Sequence, residues 1–366
     1  MTAAPVPGDS VGLAGTGGGS TVLAGADRLK STAHLVPRRR RRRRLAGAVG
    51  SYLVMAYALI TLNFLIPRLM PGNPIEGLLG QAPSKFTFGE STKLALQKYY
   101  GLTGSLWSQY VHYLDRIFIH GDLGRSVATN ASVWREIRGP LPWTLLLIGT
   151  SVVLSNLIGI AAGIRSGWRR DRPLDRAMMV GLVAIWQFPP YLLGPLLLFV
   201  LAVKLHWFPL AGAQTPFTSY GFGRNVVDIA HHLVLPLLVL LSTLVAWDYL
   251  LMRSGMVSEL GSDYLTLGRV KGVTERRLKY RYAARNAMLP LITNAAFDLG
   301  AAVLTDIVIE FVFSYPGLGN LLVTSVSARD YPVIQGVFLL LSLGILTANA
   351  LADYLYTRLD PRVVVA

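Results

Sequence analysis

Two aspartates, Asp298 and Asp306, stand in one long apolar stretch, and Glu310 lies just beyond it. A carboxylate at the centre of a bilayer costs roughly 2.5 to 3.5 kcal/mol on insertion scales, so these side chains should face a partner helix or a wet pathway and not lipid. At about 100° per residue, Asp306 lies about 80° and Glu310 about 120° around a helix from Asp298, which gives the helix one acidic face. Counted from Asn286 at about 1.5 Å per residue, Asp298 is about 18 Å along and near mid-membrane, whereas Asp306 is about 30 Å along and near the far surface. The chemistry on offer is charge recognition. Asp298 is expected to line a translocation path with Gln187, Asn294 and Asp306, favouring cationic groups, while Asp306 and Glu310 shape an outer gate. The competing reading is a buried polar contact for Asp298 and a structural turn for Glu310.

Bond-making chemistry has no visible apparatus. The chain contains no Gly-x-x-x-x-Gly-Lys-Ser/Thr phosphate loop, no His-Glu-x-x-His and no Gly-x-Ser-x-Gly. It has no cysteine, which excludes disulfides, thiolate metal sites and cysteine nucleophiles. His231 and His232 adjoin without carboxylate or thiolate partners in sequence, a pattern of interfacial histidines more than of metal ligands. No catalytic role, no resident cofactor and no metal site are therefore expected.

With 52% hydrophobic residues and 15% charged, the 366-residue chain is too apolar for a soluble domain of its length. Its net charge of +15 falls between apolar runs and in one arginine run, with no nucleic-acid module visible, so membrane topology accounts for it and no nucleic-acid partner is expected. The expected fold is an all-α membrane protein with six transmembrane helices, both termini cytoplasmic and a small extracytoplasmic lobe between the first two. Residues 1–44 read as a disordered basic tail, because 1–37 are rich in Gly, Ala, Ser and Thr and Arg38 to Arg44 form an unbroken basic run. That run orients the first span, helped by anionic membrane lipid, and the span is too long for a signal-peptide core.

Apolar runs, the first three of them free of charged residues, place the spans at about 45–66, 141–164, 177–203, 233–252, 286–308 and 333–352. Gln187-Phe188-Pro189-Pro190 should kink or break the third near mid-membrane, because each proline removes a backbone donor. The 67–140 connection carries turn residues at 71–74 and a helical piece at 91–100. Lys and Arg number five in 165–176 and eight in 253–285, against two in 204–232 and one in 310–332. This asymmetry puts the first pair of loops inside.

The most basic inner loop reads Asp-Tyr-Leu-Thr-Leu-Gly-Arg-Val-Lys-Gly-Val from Asp263, then runs helically to Arg-Asn-Ala-Met-Leu-Pro at Pro290. Gly268, Lys271, Gly272, Arg285, Asn286, Leu289 and Pro290 resemble the cytoplasmic coupling loop of ABC-importer permeases of the dipeptide/oligopeptide (peptide/nickel) type. Thr266 stands where the wider superfamily often has Glu. Gly121-Asp122-Leu123-Gly124-Arg125-Ser126, Glu310 through Asn320, Ala328-Arg329-Asp330-Tyr331-Pro332 and the closing Asp360-Pro361-Arg362 fit the same family. The resemblance covers about residues 45–362.

It implies a permease subunit in a bacterial inner membrane that forms a path for peptides, with nickel complexes or haem as alternative cargo. It implies ATP bound by partner subunits and not by this chain. The implied partners are a second homologous permease, two cytoplasmic ATPase subunits or domains, and an extracytoplasmic substrate-binding protein. Within the 253–285 coupling loop, Gly268, Lys271, Gly272, Arg285 and Asn286 are the implied contacts to the ATPase, with Gly272 at a turn whose dihedrals or close approach a side chain would oppose. A secondary transporter is the less favoured alternative, since only one span shows an obvious break.

Overall fold

The computed structural model describes residues 38–69 and 104–359. The expected tail up to residue 37, the helical piece at 91–100 and the 360–362 ending lie outside the described residues. Every regular element among those described is a helix, beside one isolated antiparallel bridge between Arg125 and Ser132.

The chain divides into two units at Val54. In the first, residues 38–54 are continuous helix, the opening part of α1 (Arg38–Leu69). The arginine run is thus helical, although the sequence reading put it in a disordered tail. Arginine is a good helix former, and the apolar run that follows continues the same backbone geometry.

The second unit holds the rest of α1 and all later elements. These are α2 (Leu106–Phe118), α3 (Val133–Arg138), α4 (Leu141–Trp168), α5 (Pro173–Trp186) and α6 (Pro190–Leu197, extended by a π-helical stretch Leu198–Lys204). Then come α7 (Phe222–Glu259), α8 (Asp263–Val270), α9 (Glu275–Arg277, continued by a π-helical stretch Leu278–Ala283 and by Ala284–Ala287), α10 (Leu289–Val312), α11 (Leu318–Ser327) and α12 (Tyr331–Leu359). Among the described residues, α4, α7 and α12 are long and apolar enough to cross a bilayer.

The third expected span is two helices. α5 and α6 meet at 95° across the Gln187–Pro189 break, a sharper departure than a kink. Pro189 is extended, with ψ of 134°, because the ring of Pro190 disfavours helical backbone in the residue before it. α7 outruns the expected fourth span at both ends, so the inner loop begins at Leu260 and not at residue 253. Glu310, read as the start of a turn-rich segment, lies inside α10, and the turns occupy only 313–317.

The architecture rests on the α4–α7 seam. Ser151, Ser155, Gly159, Gly163 and Gly167 recur every fourth residue on α4, and all five are buried. A Cβ on Gly159, Gly163 or Gly167 would lie 2.4, 2.6 or 2.7 Å from the Cβ of Asp248, Met252 or Met256 on α7. Small residues at this spacing let two backbones approach closely, which is how helices gain packing where lipid is as apolar as leucine. The opposite side of α4 shows Leu145, Val153 and Leu157 exposed. An apolar face outside and a polar-small face inside suit a helix solvated by hydrocarbon.

Candidate functional site

The basic loop folds back onto the inner ends of the α4–α7 pair. Leu265 of α8 and Leu278 of α9 are fully buried in one cluster with Ile164, Met252 and Met256. Gly268 permits this closure, since a Cβ there would lie 2.6 Å from Leu278 Cδ2. α8 ends in a Schellman motif: the Val273 N–H donates to the Gly268 carbonyl and the Gly272 N–H to the Arg269 carbonyl, both at 3.0 Å. Gly272 is the left-handed residue that this motif requires, with φ of +75°. Asn286 Nδ2 donates to the Tyr264 hydroxyl at 3.1 Å, and that hydroxyl donates to Glu259. Burial and then Glu259 push the Tyr264 hydroxyl above its usual value, so it remains a donor at neutral pH.

The outward side of the loop is different. Lys271, Gly272, Arg285 and Asn286 are exposed, and beside them Leu267 is 54% and Val270 80% exposed. Apolar side chains are thus held out to solvent on a short, well-packed helix and rimmed by cations, the composition of an exposed patch suited to an interaction. The structure therefore gathers Gly268, Lys271 and Gly272 at one helix end, while Arg285 and Asn286 lie where the loop returns to α10.

A fork ties this end of the molecule together. Arg253 of α7 donates from Nε and Nη2 to Asp175 Oδ1 and Oδ2 at 2.7 and 2.6 Å. Asp175 also accepts from the Asp171 N–H at 2.9 Å and from Ser166, whose hydroxyl pairs with Tyr249 at 2.7 Å. The Arg253 hydrogen bonds hold the Asp175 carboxyl well below the usual carboxylate range, against the opposing effect of burial. This pair spans 78 positions of sequence. No short motif marks it.

The acidic face of α10 turns toward α4. Asp298 is 3% exposed and accepts from Asn294 Nδ2 at 2.9 Å and from Asn156 Nδ2 of α4 at 3.3 Å. Trp247 Nε1 of α7 donates to Asn294 Oδ1 at 3.0 Å. Asp248, which the sequence reading passed over, is fully buried beside them, facing Asp298, Asn294 and Ser155 without a hydrogen bond of good geometry. Its signal was present: a lone acid in an apolar run is a functional candidate by itself.

At the other end of α10, Asp306 and Glu310 are buried together. Thr144 of α4 donates to Glu310 Oε1 at 2.5 Å, while the Gly319 and Asn320 N–H groups donate to Oε2 at 2.6 and 3.1 Å. Glu310 is thus committed to capping α11, where an anionic acceptor meets the free N–H groups of a helix start. The outer-gate expectation for Glu310 gives way to that structural role. A second lock joins two other family-like blocks. Asp330 accepts from the Ser126 hydroxyl and from the Val127 and Ala128 N–H groups at 3.0 and 3.2 Å. Gln187 stands exposed at the α5–α6 break, its N–H donating to Val183 at 3.2 Å. His231 and His232 bond the carbonyls of Trp207 and Asp228 at 2.8 and 2.9 Å, and the Asp228 carboxylate lies 3.7 Å from His232 Nδ1, so the pair does have a carboxylate neighbour, one helical turn away on α7.

A helical chain with lipid-suited faces, a buried polar cluster between its long helices and a basic loop packed on two of them has the form of a membrane permease subunit. Residues 155–365 match the family described as binding-protein-dependent transport system inner membrane component. A putative peptide permease protein of Brucella suis biovar 1 is 35% identical over 86% of this chain and 96% of its own length. The glutathione transport system permease protein GsiC of Escherichia coli K12 is 34% identical over 88% and 97%. The oligopeptide transport system permease protein AppB of Bacillus subtilis is 32% identical over 82% and 93%. The chain belongs to the inner-membrane components of binding-protein-dependent transport systems, the permeases of ABC importers, and within them to the peptide type.

Proposed function

We propose that this chain forms half of the membrane path of a bacterial importer for peptides or peptide-like solutes. Its proposed topology has six spans, α5 and α6 together making the third, with both termini cytoplasmic. The proposed partners are a second homologous permease, two ATPase subunits or domains that bind the ATP, and an extracytoplasmic binding protein. The relatives' names support a peptide-like cargo. The observation that carries the reading is the 263–285 loop, whose apolar side is buried on α4 and α7 while Leu267, Val270, Lys271, Gly272 and Arg285 face outward.

ATP-driven closure of the ATPases would load this surface and rock the α4–α7 pair as a body, opening the path alternately to each side. The path is proposed to run beside Asn294, Asp298 and Asp306, with Gln187 at the break completing it. Support comes from the polar cluster at mid-membrane, which hydrocarbon would not tolerate on a lipid face.

A tagged chain, purified from a cell membrane fraction and reconstituted with what copurifies, tests the reading. Expected are a second permease, an ATPase and peptide-stimulated ATP hydrolysis coupled to uptake; uptake by this chain alone, without nucleotide, overturns the assignment. Asp298→Asn in the same system keeps shape and removes charge, so cationic peptides should lose uptake more than anionic ones at equal complex abundance. A uniform loss with less assembled complex removes Asp298 from the path.

A further inference from the structure

We propose that an anionic phospholipid is bound where α1, α2 and α12 meet, its phosphate in a basic pocket and one acyl chain in a groove along α12. The pocket is a cavity of about 280 Å³ at the end of α1 remote from the arginine run, walled by Arg68, Gln109, His112, Arg116, Arg125 and Gln335. Its charge is unbalanced. Among the described residues that wall it, the one carboxylate is Asp122, which reaches Arg116 at 3.4 Å in an exposed pair. Among the described residues no carboxylate lies within ion-pair distance of Arg68 or Arg125.

Arg68 is fixed in place and half-buried. Its Nε donates to Gln109 Oε1 at 3.1 Å, its Nη1 to the Phe64 carbonyl at 2.9 Å, and its guanidinium sits 3.6 Å over the Phe64 ring. Gln335 adds an unused donor, since its Nε2 is shielded from solvent and has no acceptor. Preorganised cations and an orphan N–H, with no counter-anion for Arg68 or Arg125 among the described residues, form a site for phosphate oxygens.

The pocket opens into an apolar groove of about 560 Å³ and shares Leu123, Gly336 and Leu339 with it. The groove continues past Leu343, Gly344 and Thr347 to Leu351. From Leu339 to Leu351 is about 18 Å of helix, close to the roughly 15 Å depth of one leaflet. A free phosphate or an acidic protein segment would satisfy the pocket alone. A lipid satisfies both parts, because its charge and its chain are joined at the spacing that pocket and groove present. Gly344 faces open space, so a larger side chain there fills the groove without striking this chain.

The test uses the intact transport complex in nanodiscs containing phosphatidylglycerol and phosphatidylcholine, transferred to mild detergent, with retained lipid counted by native mass spectrometry. Phosphatidylglycerol should be retained selectively. Losing two charge-assisted contacts in Arg68→Gln/Arg125→Gln should cut retention roughly tenfold or more, and Gly344→Phe should cut it comparably. Ala348→Leu narrows the same groove and replaces Gly344→Phe if that variant fails to accumulate. Melting temperature and subunit content are read in parallel. Equal retention of the two lipids, or retention unchanged in either variant at normal complex abundance, overturns the proposal. Loss in the arginine variant alone, with weakened docking of the binding protein, assigns the pocket to a soluble partner and likewise overturns it.

Discussion

Gly272 carries the sharpest prediction. Its φ of +75° belongs to the left-handed region, and an ideal Cβ at this position meets no atom within 4 Å. Replacement therefore costs backbone strain and no steric clash within the chain. Strain for an L-residue there is about 1 to 2 kcal/mol, which shifts the population of the correctly closed loop by roughly 5- to 30-fold. Asparagine visits this region more readily than alanine, so it should recover part of the loss. Gly272→Ala and Gly272→Glu should destabilise the α8 end equally, because neither side chain has a neighbour to strike. Hydrogen exchange at the Gly272 and Val273 amides reads the closure of the Schellman motif, and peptide-stimulated ATP hydrolysis by the reconstituted complex reads coupling. The expected order of protection is Gly, then Asn, then Ala with Glu. If Glu uncouples more than Ala at equal protection, the excess measures close approach of the ATPase to this turn. The reasoning fails if alanine matches glycine in both assays, or if asparagine is worse than alanine.

The other predictions concern what holds the loop's foundation. Gly163→Ala puts a Cβ 2.6 Å from Met252 Cβ and 3.0 Å from the Arg253 nitrogen, atoms that no rotamer change can move. Overpacking of about 1 to 3 kcal/mol should lower the melting temperature of the solubilised complex, while Gly149→Ala on the same helix, with nothing within 4 Å, should leave it unchanged. Equal effects from the two would remove the seam from the argument. Asp175→Asn leaves the partly exposed Arg253 guanidinium without its carboxylate and should cost about 1 to 3 kcal/mol. The sign with pH follows from a folded carboxyl held below its unfolded value of about 3.9: its contribution is complete above that pH and lost only as pH falls toward the depressed value. The stability gap between wild type and Asp175→Asn should thus stay constant from about pH 5 to 8 and close only in acid; a gap that shrinks between about pH 6 and 8 refutes the assignment.

How much of this was legible depends on whether the signal was local. Long apolar runs mark α4, α7 and α12 because length and composition suffice, and Pro189-Pro190 announces the α5–α6 break because proline acts on its own neighbours. Gly268 and Gly272 stand out through the loop's resemblance to the family, although the reason for Gly268 lies in Leu278, a contact that the sequence does not display. Ser151, Ser155, Gly159, Gly163 and Gly167 were visible at their four-residue spacing, yet their meaning depends on which helix fills the groove. Asp175 with Arg253, and Glu310 with Thr144, are invisible for the same reason: each is an acid whose role is set by a partner far along the chain. The three acids of α10 do share a face, as the helical spacing required. What differs is what that face meets: asparagines for Asp298, a helix start for Glu310.

These contacts also decide where a load on the loop can be absorbed. α8 and α9 rest on Ile164, Met252 and Met256, residues that themselves lie in or beside the α4–α7 seam. Above that contact, Asp248, Met252 and Met256 sit where a Cβ on the facing glycines would come within 2.7 Å, so neither helix can slide past the other without a clash of backbone-fixed atoms. The Asp175–Arg253 fork adds a directional constraint that a small rotation would break. Compliance must then lie outside the pair. The Gln187–Pro189 break is the described element best suited to it, because its prolines remove the backbone bonds that would resist bending and its 95° corner is held by few others. On the proposed coupling role, a displacement entering at Leu267 and Val270 would be carried along the α4–α7 pair as far as Asp248, and the corner next to Gln187 would give way.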